Sequence, residues 1–386
     1  MPLLAFVITR LGIAGVAYFA TPILVDSTVP PYHARPDNTL IDVFASRWDT
    51  GFYTEIADQG YSIQGGQFPT VAFFPLLPVI IRLARLLTGD TLLAGLWVAN
   101  LALLLAVMLL HIFSAEESDQ PTADRTVWYL LIFPASFFGS AIYSESLFLL
   151  LGIASLYLAR KNHWWAAGVV SVLGAMTRFV GILLAPMLVV EWLHKHIQFR
   201  KTPRAGDEGS LAGDRKPPDW TDLVAASLAP IGTLAYMIYL GRNFGDPLAF
   251  LHASAAWGRS PASLLTTLTE LFTRPPQGWL RALADGALPL DNWLDLFFVL
   301  FFVLLGVVLL VQKRWSEGAL VVLGTLIAFN SGLLMSQRRY VWVLFPAFLL
   351  LARWGKNAWV DRVIFVVSLL MLGLFTAMFA NWYWVG

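Results

Sequence analysis

Residues 47–62, RWDTGFYTEIADQGYS, crowd Arg47, Trp48, Asp49, Tyr53, Glu55, Asp58 and Tyr61 into one short stretch just after the first apolar run. A carboxylate beside a substrate hydroxyl can take its proton as the oxygen attacks, which is general-base chemistry. Asp49 is the candidate for that role, with Arg47, Trp48 and Tyr53 as groups that would line the same cavity. A second reading stands beside it. Asp49 precedes the helical-looking TGFYTEIADQG, and aspartate is a favoured helix N-cap. Glu55 and Asp58, three apart on one helix face, read more simply as a solvated face than as a carboxylate pair.

Three further groups could act with this segment. In FPASFFGSAIYSESLFLLLG (133–152), Ser144, Glu145 and Ser146 interrupt two apolar runs. An ionisable group in such a run either lines a cavity, finds a partner, or surfaces in a hydrated turn. Arg178 lies in LGAMTRFVGILLAP, and Arg338, Arg339 and Tyr340 in MSQRRYVWVLFP. A guanidinium fork suits a phosphate or a carboxylate, so the three arginines are candidates for holding a lipid-linked phosphate. Snorkelling to headgroups is the alternative for Arg339, and pairing with Glu145 the alternative for Arg178. In GRNFGDPLAFLHASAAWGR (241–259), Asp246 marks a turn, while His252 and Trp257 could meet an acceptor. Tryptophans in a membrane-boundary belt are the competing reading there.

The six histidines are scattered, there is no cysteine, and no metal-ligand spacing is present. The sequence therefore requires no metal or other cofactor, although a divalent cation near the outward carboxylates is compatible with it. Net charge of +1 and the absence of a basic soluble module give no reason to expect a nucleic-acid partner.

The elements that must position these residues are membrane helices. Hydrophobic residues make up 58% of the chain and charged residues 13%, a balance foreign to soluble domains. Backbone groups in lipid must be satisfied within each segment, so apolar runs this long form helices. About 11 crossings are expected, near 3–25, 91–113, 127–143, 145–159, 164–177, 179–193, 222–241, 294–312, 317–335, 340–353 and 363–383, all within one integral-membrane domain over 1–386. Residues 26–90 form a first outward loop that carries interfacial helices, with Pro75, Pro78, Arg82 and Arg85 marking one over 72–87. Residues 194–221, rich in Lys, Arg, Gly and Pro, form a flexible cytoplasmic loop, and 242–293 a second large outward loop. Arg160–Lys161, Lys313–Arg314 and Arg353/Lys356/Arg362 fall on the cytoplasmic side of that scheme. Asp49, Glu145, Arg178 and Arg338–Arg339 fall outward. No pair of matched halves, the signature of many transporters, is visible.

Taken together, RWDTGFYTEIADQGY, AFFPLLP, FPASFFGSAIYSESLFLL, TRFVG, DPLAFLHASAAWGR, RRYVWVLFP and FANWYWVG resemble, in order and over nearly the whole chain, the PIG-V mannosyltransferase family. These are integral-membrane glycosyltransferases of the GT-C superfamily. The resemblance implies an all-α GT-C-type bundle with its active site on the non-cytoplasmic face. It also implies a polyprenyl-phosphate-mannose donor, and Asp49 in the place of the family's first-loop acid. The family's SES block falls on Ser144–Ser146 and its arginine–tyrosine block on Arg339–Tyr340. A single inverting displacement onto a glycolipid, glycan or protein hydroxyl would follow, in the plasma membrane if the chain is a prokaryotic relative, with membrane lipids around it. Transfer of arabinose or glucose from the same kind of carrier is the nearest alternative, and a secondary transporter the more distant one.

Overall fold

A computed structural model describes residues 1–27, 39–63, 68–201, 219–258, 266, 269, 273, 278–285, 290–329 and 335–385. Among them every regular element is helical. The chain opens with α1 (Pro2–Ala20), whose Pro2 sits in the first turn, where its missing N–H is no loss. The short α2 (Leu40–Ala45) and α3 (Thr50–Gln59) follow, then α4 (Leu76–Thr88), α5 (Thr91–Glu117) and α6 (Gln120–Ile132). Next come α7 (Glu145–Arg160), α8 (Trp164–Ala175), α9 (Leu184–Lys201), α10 (Trp220–Ala226), α11 (Pro230–Phe244) and α12 (Ala249–Ala253). The last elements are α13 (Trp279–Ala284), α14 (Leu290–Val311), α15 (Trp315–Phe329), α16 (Gln337–Trp342), α17 (Pro346–Trp354) and α18 (Ala358–Ala380).

Five of the described helices are long and apolar enough to cross a membrane: α1, α5, α9 with the 3-10 turn before it, α14 and α18. A sixth span results if α10 and α11, bent by 48° at Pro230, count as one. The expected number of about 11 is thus not reached by length and apolarity; α8 and α15 are shorter apolar helices. The expected crossing at 127–143 shows why. Phe133 precedes Pro134 and takes φ −54°, ψ 141°, the extended geometry that a following proline favours. The helix stops at Ile132, and the next residues form a buried 3-10 turn, Ser136–Ser140. Within residues 26–90, the expected first loop, the chain carries short helices: α2, α3 and α4, the last leaving Val79, Leu83, Leu86 and Leu87 exposed.

One large apolar cluster joins the bundle, from Ala5 and Ile13 of α1 through Leu103, Leu149, Leu184, Phe302 and Phe348 to Phe379 of α18. Where helices approach most closely, glycines face backbone. A Cβ on Gly168 of α8 would collide with the carbonyl oxygen of Ala225, and one on Gly232 of α11 with that of Val172. Small residues that let backbones touch are the usual packing device inside membranes.

The two ends of the bundle differ in chemistry. α7 carries Glu145 in its first turn and Arg160 in its last, about 22 Å apart at 1.5 Å per residue. At the Arg160 end, its guanidinium meets Glu117 at 2.5 Å, Glu317 at 3.1 Å and Glu191 at 3.3 Å. Arg314 joins Glu117 and Glu317, Lys195 caps the carbonyls of Ala159 and Arg160, and Lys356 pairs with Asp119. Of the basic residues expected to share a side, Arg160, Lys195, Arg314 and Lys356 gather at this end. The core of the 194–221 loop, residues 202–218, lies outside the described residues.

Candidate active site

Trp48 turns the chain between α2 and α3 with a left-handed φ of 56°. That conformation costs an aromatic residue about 1–3 kcal/mol and persists only where its surroundings enforce it. The turn delivers Asp49 to the start of α3. Asp49 occupies the N-cap position, yet its side chain makes no capping hydrogen bond and its backbone is already helical. Its carboxylate instead accepts from Arg339 Nη1 at 2.6 Å, and its backbone N–H donates to the Tyr143 hydroxyl at 3.2 Å. The capping role is therefore not the one Asp49 serves. Its side chain keeps 17% of its surface open, the most exposed member of the group.

Arg339 continues the chain of charges. Its Nε lies 3.2 Å from Glu145 Oε1, and the same oxygen takes Arg178 Nη1 at 2.6 Å. Glu145 is 2% exposed, so it is a buried, paired carboxylate and not a hydrated turn residue. Its place in the first turn of α7 adds the favourable end of the helix dipole. The order Asp49–Arg339–Glu145–Arg178 alternates in sign and sums to zero, which is how such a group survives burial. Glu145 Oε2 has no hydrogen-bond partner among the described residues. Aromatic rings enclose the Arg339 guanidinium at 5.2–5.5 Å: Phe138, Tyr143, Tyr340 and Trp384. Arg178 also lies over the Tyr340 ring, at 5.2 Å.

The neighbouring arginine goes elsewhere. Successive residues on a helix point about 100° apart, and Arg338 leaves α16 toward α14. There its Nε meets Asp295 at 2.8 Å and its Nη2 meets Asp291 at 3.2 Å. Arg338 is thus a clamp between α14 and α16, apart from the Asp49 group. Arg47 is likewise apart: it donates to the Ala380 carbonyl at 3.3 Å and lies 4.1 Å over the Trp382 ring.

Of the serines, Ser144 accepts from the Tyr53 hydroxyl at 3.0 Å, beside Glu145, whereas Ser146 donates to the Gly139 carbonyl and serves packing. Burial, reinforced by Glu145, pushes the Tyr53 phenol above its ordinary range, so it remains a donor. Trp257 meets Phe52, Phe68 and Phe73 at ring distances of 5.9, 5.0 and 5.8 Å, one turn of α3 from Asp49. Asp246 and His252 stand outside this group. They form an exposed pair at 2.7 Å that holds the Asp246 carboxyl below its usual range, and Asp246 Oδ1 caps the turn at Leu248. Among the described residues no three His, Asp or Glu side chains assemble as a metal-ligand group.

Asp291 and Asp295 are not legible as partners in the sequence, because a lone acid near the start of an apolar run has no readable partner. Nor is Trp384. Its only signal was the aromatic density of FANWYWVG.

Residues 20–201, just under half of the chain, match the family model described as Mannosyltransferase (PIG-V). The match contains Asp49, Glu145 and Arg178, and stops before Arg339. Similar solved structures include the Archaeoglobus fulgidus oligosaccharyltransferase complexed with Zn and sulfate, at 14% identity and a TM-score of 0.41, covering 99% of this chain and 53% of that one. The archaeal oligosaccharyltransferase AglB from the same organism, with an inhibitory peptide and a dolichol-phosphate, gives 13% identity and a TM-score of 0.42 over 100% and 56%. The chain spans about half the length of the solved structures that it matches. No curated protein matches it significantly.

Proposed function

Starting from a chain that resembles the PIG-V mannosyltransferases, we propose that it is an integral-membrane glycosyltransferase of GT-C type. It moves mannose from a polyprenyl-phosphate-mannose donor to a hydroxyl of a glycolipid, glycan or protein acceptor. The observation that carries this reading is the convergence of one accessible carboxylate, Asp49, with two guanidinium groups that share Glu145. A base and a phosphate-sized set of cations in one centre are what transfer from a lipid phosphate requires.

The donor's prenyl chain lies in the bilayer and its phosphate engages Arg339 and Arg178. Asp49 takes the proton of the acceptor hydroxyl as that oxygen forms a bond to the anomeric carbon. The bond from that carbon to the phosphate oxygen breaks on the opposite face, and the electron pair leaves with the polyprenyl phosphate. The arginines stabilise the charge that develops there, in a site where fixed charges act far more strongly than in water. Inversion turns a β-linked donor into an α-linked product. Tyr53, Ser144, Tyr340 and Trp257 line the surroundings. Neither Arg338, held by Asp291 and Asp295, nor the Asp246–His252 pair takes part. No metal enters the scheme. The positive-inside rule favours the Arg160 end in the cytoplasm and the Asp49 end outside, in the plasma membrane if the chain is prokaryotic.

The test is transfer of radiolabelled mannose from polyprenyl-phosphate mannose in membranes carrying the wild type or Asp49→Asn. Label in a lipid, glycan or protein product with the wild type alone supports the reading. Transfer only when arabinose or glucose is the carried sugar would replace mannose and keep the chemistry. Equal transfer by both proteins would remove Asp49 as the base.

A further inference from the structure

The stretch Arg47–Trp48–Asp49 makes three successive contacts that lead, directly or through Arg339, to one distant segment, residues 380–385. Arg47 lies over the Trp382 ring and donates to the Ala380 carbonyl. Trp48 packs between Trp382, at 6.1 Å, and Trp384, at 5.2 Å. Asp49 pairs with Arg339, whose guanidinium lies 5.4 Å over the ring of Trp384. The Asn381 carbonyl accepts from the Ser27 backbone N–H at 2.9 Å, which ties the same segment to the chain that follows the first helix. Both turn residues of this arrangement, Trp48 and Trp382, hold left-handed backbones, at φ 56° and 62°. Two strained tryptophans facing each other are an arrangement that packing alone does not ask for, and strain of this kind collects where geometry serves a site.

Trp384 differs from the other three rings around Arg339. Tyr143 also bonds to the Asp49 backbone, Phe138 packs on Phe379 of α18, and Tyr340 is the immediate neighbour of Arg339. Among the described residues, the ring contacts of Trp384 are to Trp48 and Phe138, its cation contact is to Arg339, and its indole N–H has no hydrogen-bond partner. Its ring and cation contacts all fall on the centre or on the turn that builds it.

We infer that Trp384 is a positioning residue of the transfer centre: its ring closes the box around Arg339, and Trp48 holds that ring in place. The inference rests on the proposed function, since Arg339 is there the ligand of the donor phosphate. Trp384 acts through Arg339 and does not itself take part in the bond changes. With the ring present, the guanidinium stays between Asp49 and Glu145, ready for an anionic oxygen. Without it, the long side chain gains freedom that phosphate binding must then remove.

The experiment compares the detergent-purified wild type with Trp384→Ala, Trp384→Leu, Trp384→Phe, Arg339→Ala and the Trp384→Ala/Arg339→Ala pair. A short-chain polyprenyl phosphate is the probe, read as the ligand-induced rise in melting temperature, with KM and kcat for donor and acceptor measured alongside. The alanine and leucine variants should bind the probe about tenfold more weakly, the size of a desolvated cation–π contact. The phenylalanine variant should stay within about twofold of the wild type. On the Arg339→Ala background, losing Trp384 should change nothing further, because contacting residues are not additive. Trp384→Leu, which keeps bulk without an aromatic face, decides the question if the alanine variant fails to fold. Wild-type affinity in the leucine variant, or a full additional loss on the Arg339→Ala background, would overturn the inference. If the wild type itself gains no stability from polyprenyl phosphate, the functional reading falls with it. If the wild type responds and Arg339→Ala does not, while Trp384→Leu responds fully, only the role of Trp384 falls.

Discussion

Four side chains carry the centre, and each answers to a different force. Asp49 is held by one guanidinium and remains partly open, which leaves it able to meet a substrate. With Asp49 in its proposed role as base, replacement by Asn keeps the size and removes the basicity, so transfer should fall by about 10²–10⁴-fold, the usual worth of a general base. The protein should still purify as a monodisperse species, and radiolabel transfer checks the loss. Glu145 lies deeper and holds two cations at once. Removing one partner of a buried pair leaves a stranded charge and costs about 3–5 kcal/mol. Glu145→Ala should therefore lower thermal stability as well as transfer, and by more than Asp49→Asn, which strands one guanidinium at the more open end of the group. The adjacent arginines separate the two roles further. Arg338→Ala breaks the clamp to Asp291 and Asp295 and should appear as a lower melting temperature with an unchanged donor KM among the molecules that fold. Arg339→Ala should raise donor KM instead.

At the scale of elements, the helices were legible wherever an apolar run was long: α1, α5, α14 and α18 fall close to the runs that announce them. Breaks were less so. Pro134 shortens one expected crossing, and the bend at Pro230 splits another, because a proline acts on its neighbours' geometry and not on hydropathy. The pairing of Arg178 with Glu145 was readable, since an ionisable group in an apolar stretch needs a partner and few were available. Which of Arg338 and Arg339 reaches Asp49 was not. That depends on the rotation of a six-residue helix and on Asp295, 43 positions away. Nor could the sequence decide between a cap and a base at Asp49, since both uses place the same residue before the same helix. The glycine contacts give an element-level test. Gly168→Val should drive α8 from α10 and destabilise the protein by about 1–3 kcal/mol or more. Gly15→Ala in α1 meets nothing within 4 Å and should be neutral or slightly stabilising, as thermal unfolding of the two variants would show.

Across the whole molecule, charge is divided between two ends. One gathers Asp49, Glu145, Arg178 and Arg339; the other gathers Arg160, Lys195 and Arg314 with Glu117, Glu191 and Glu317. The chain lacks cysteine, so single cysteines placed at Asn162 and Asn243 would be the only thiols present. In intact cells an impermeant maleimide should label the Asn243 position and leave the Asn162 position untouched until the membrane is opened. The reverse pattern would invert the proposed orientation.

The pairing of Asp49 with Arg339 spans 290 residues of sequence, and Trp384 lies later still. A ribosome releases these parts in order, so the carboxylate enters the membrane long before its cation is made. Throughout insertion the half-built bundle holds an acid with no guanidinium opposite it and no grip on a lipid phosphate. Under the proposed function, competence to transfer sugar would then wait for Arg339 and Trp384, and chains stopped short of them would leave the cell's carrier lipids untouched.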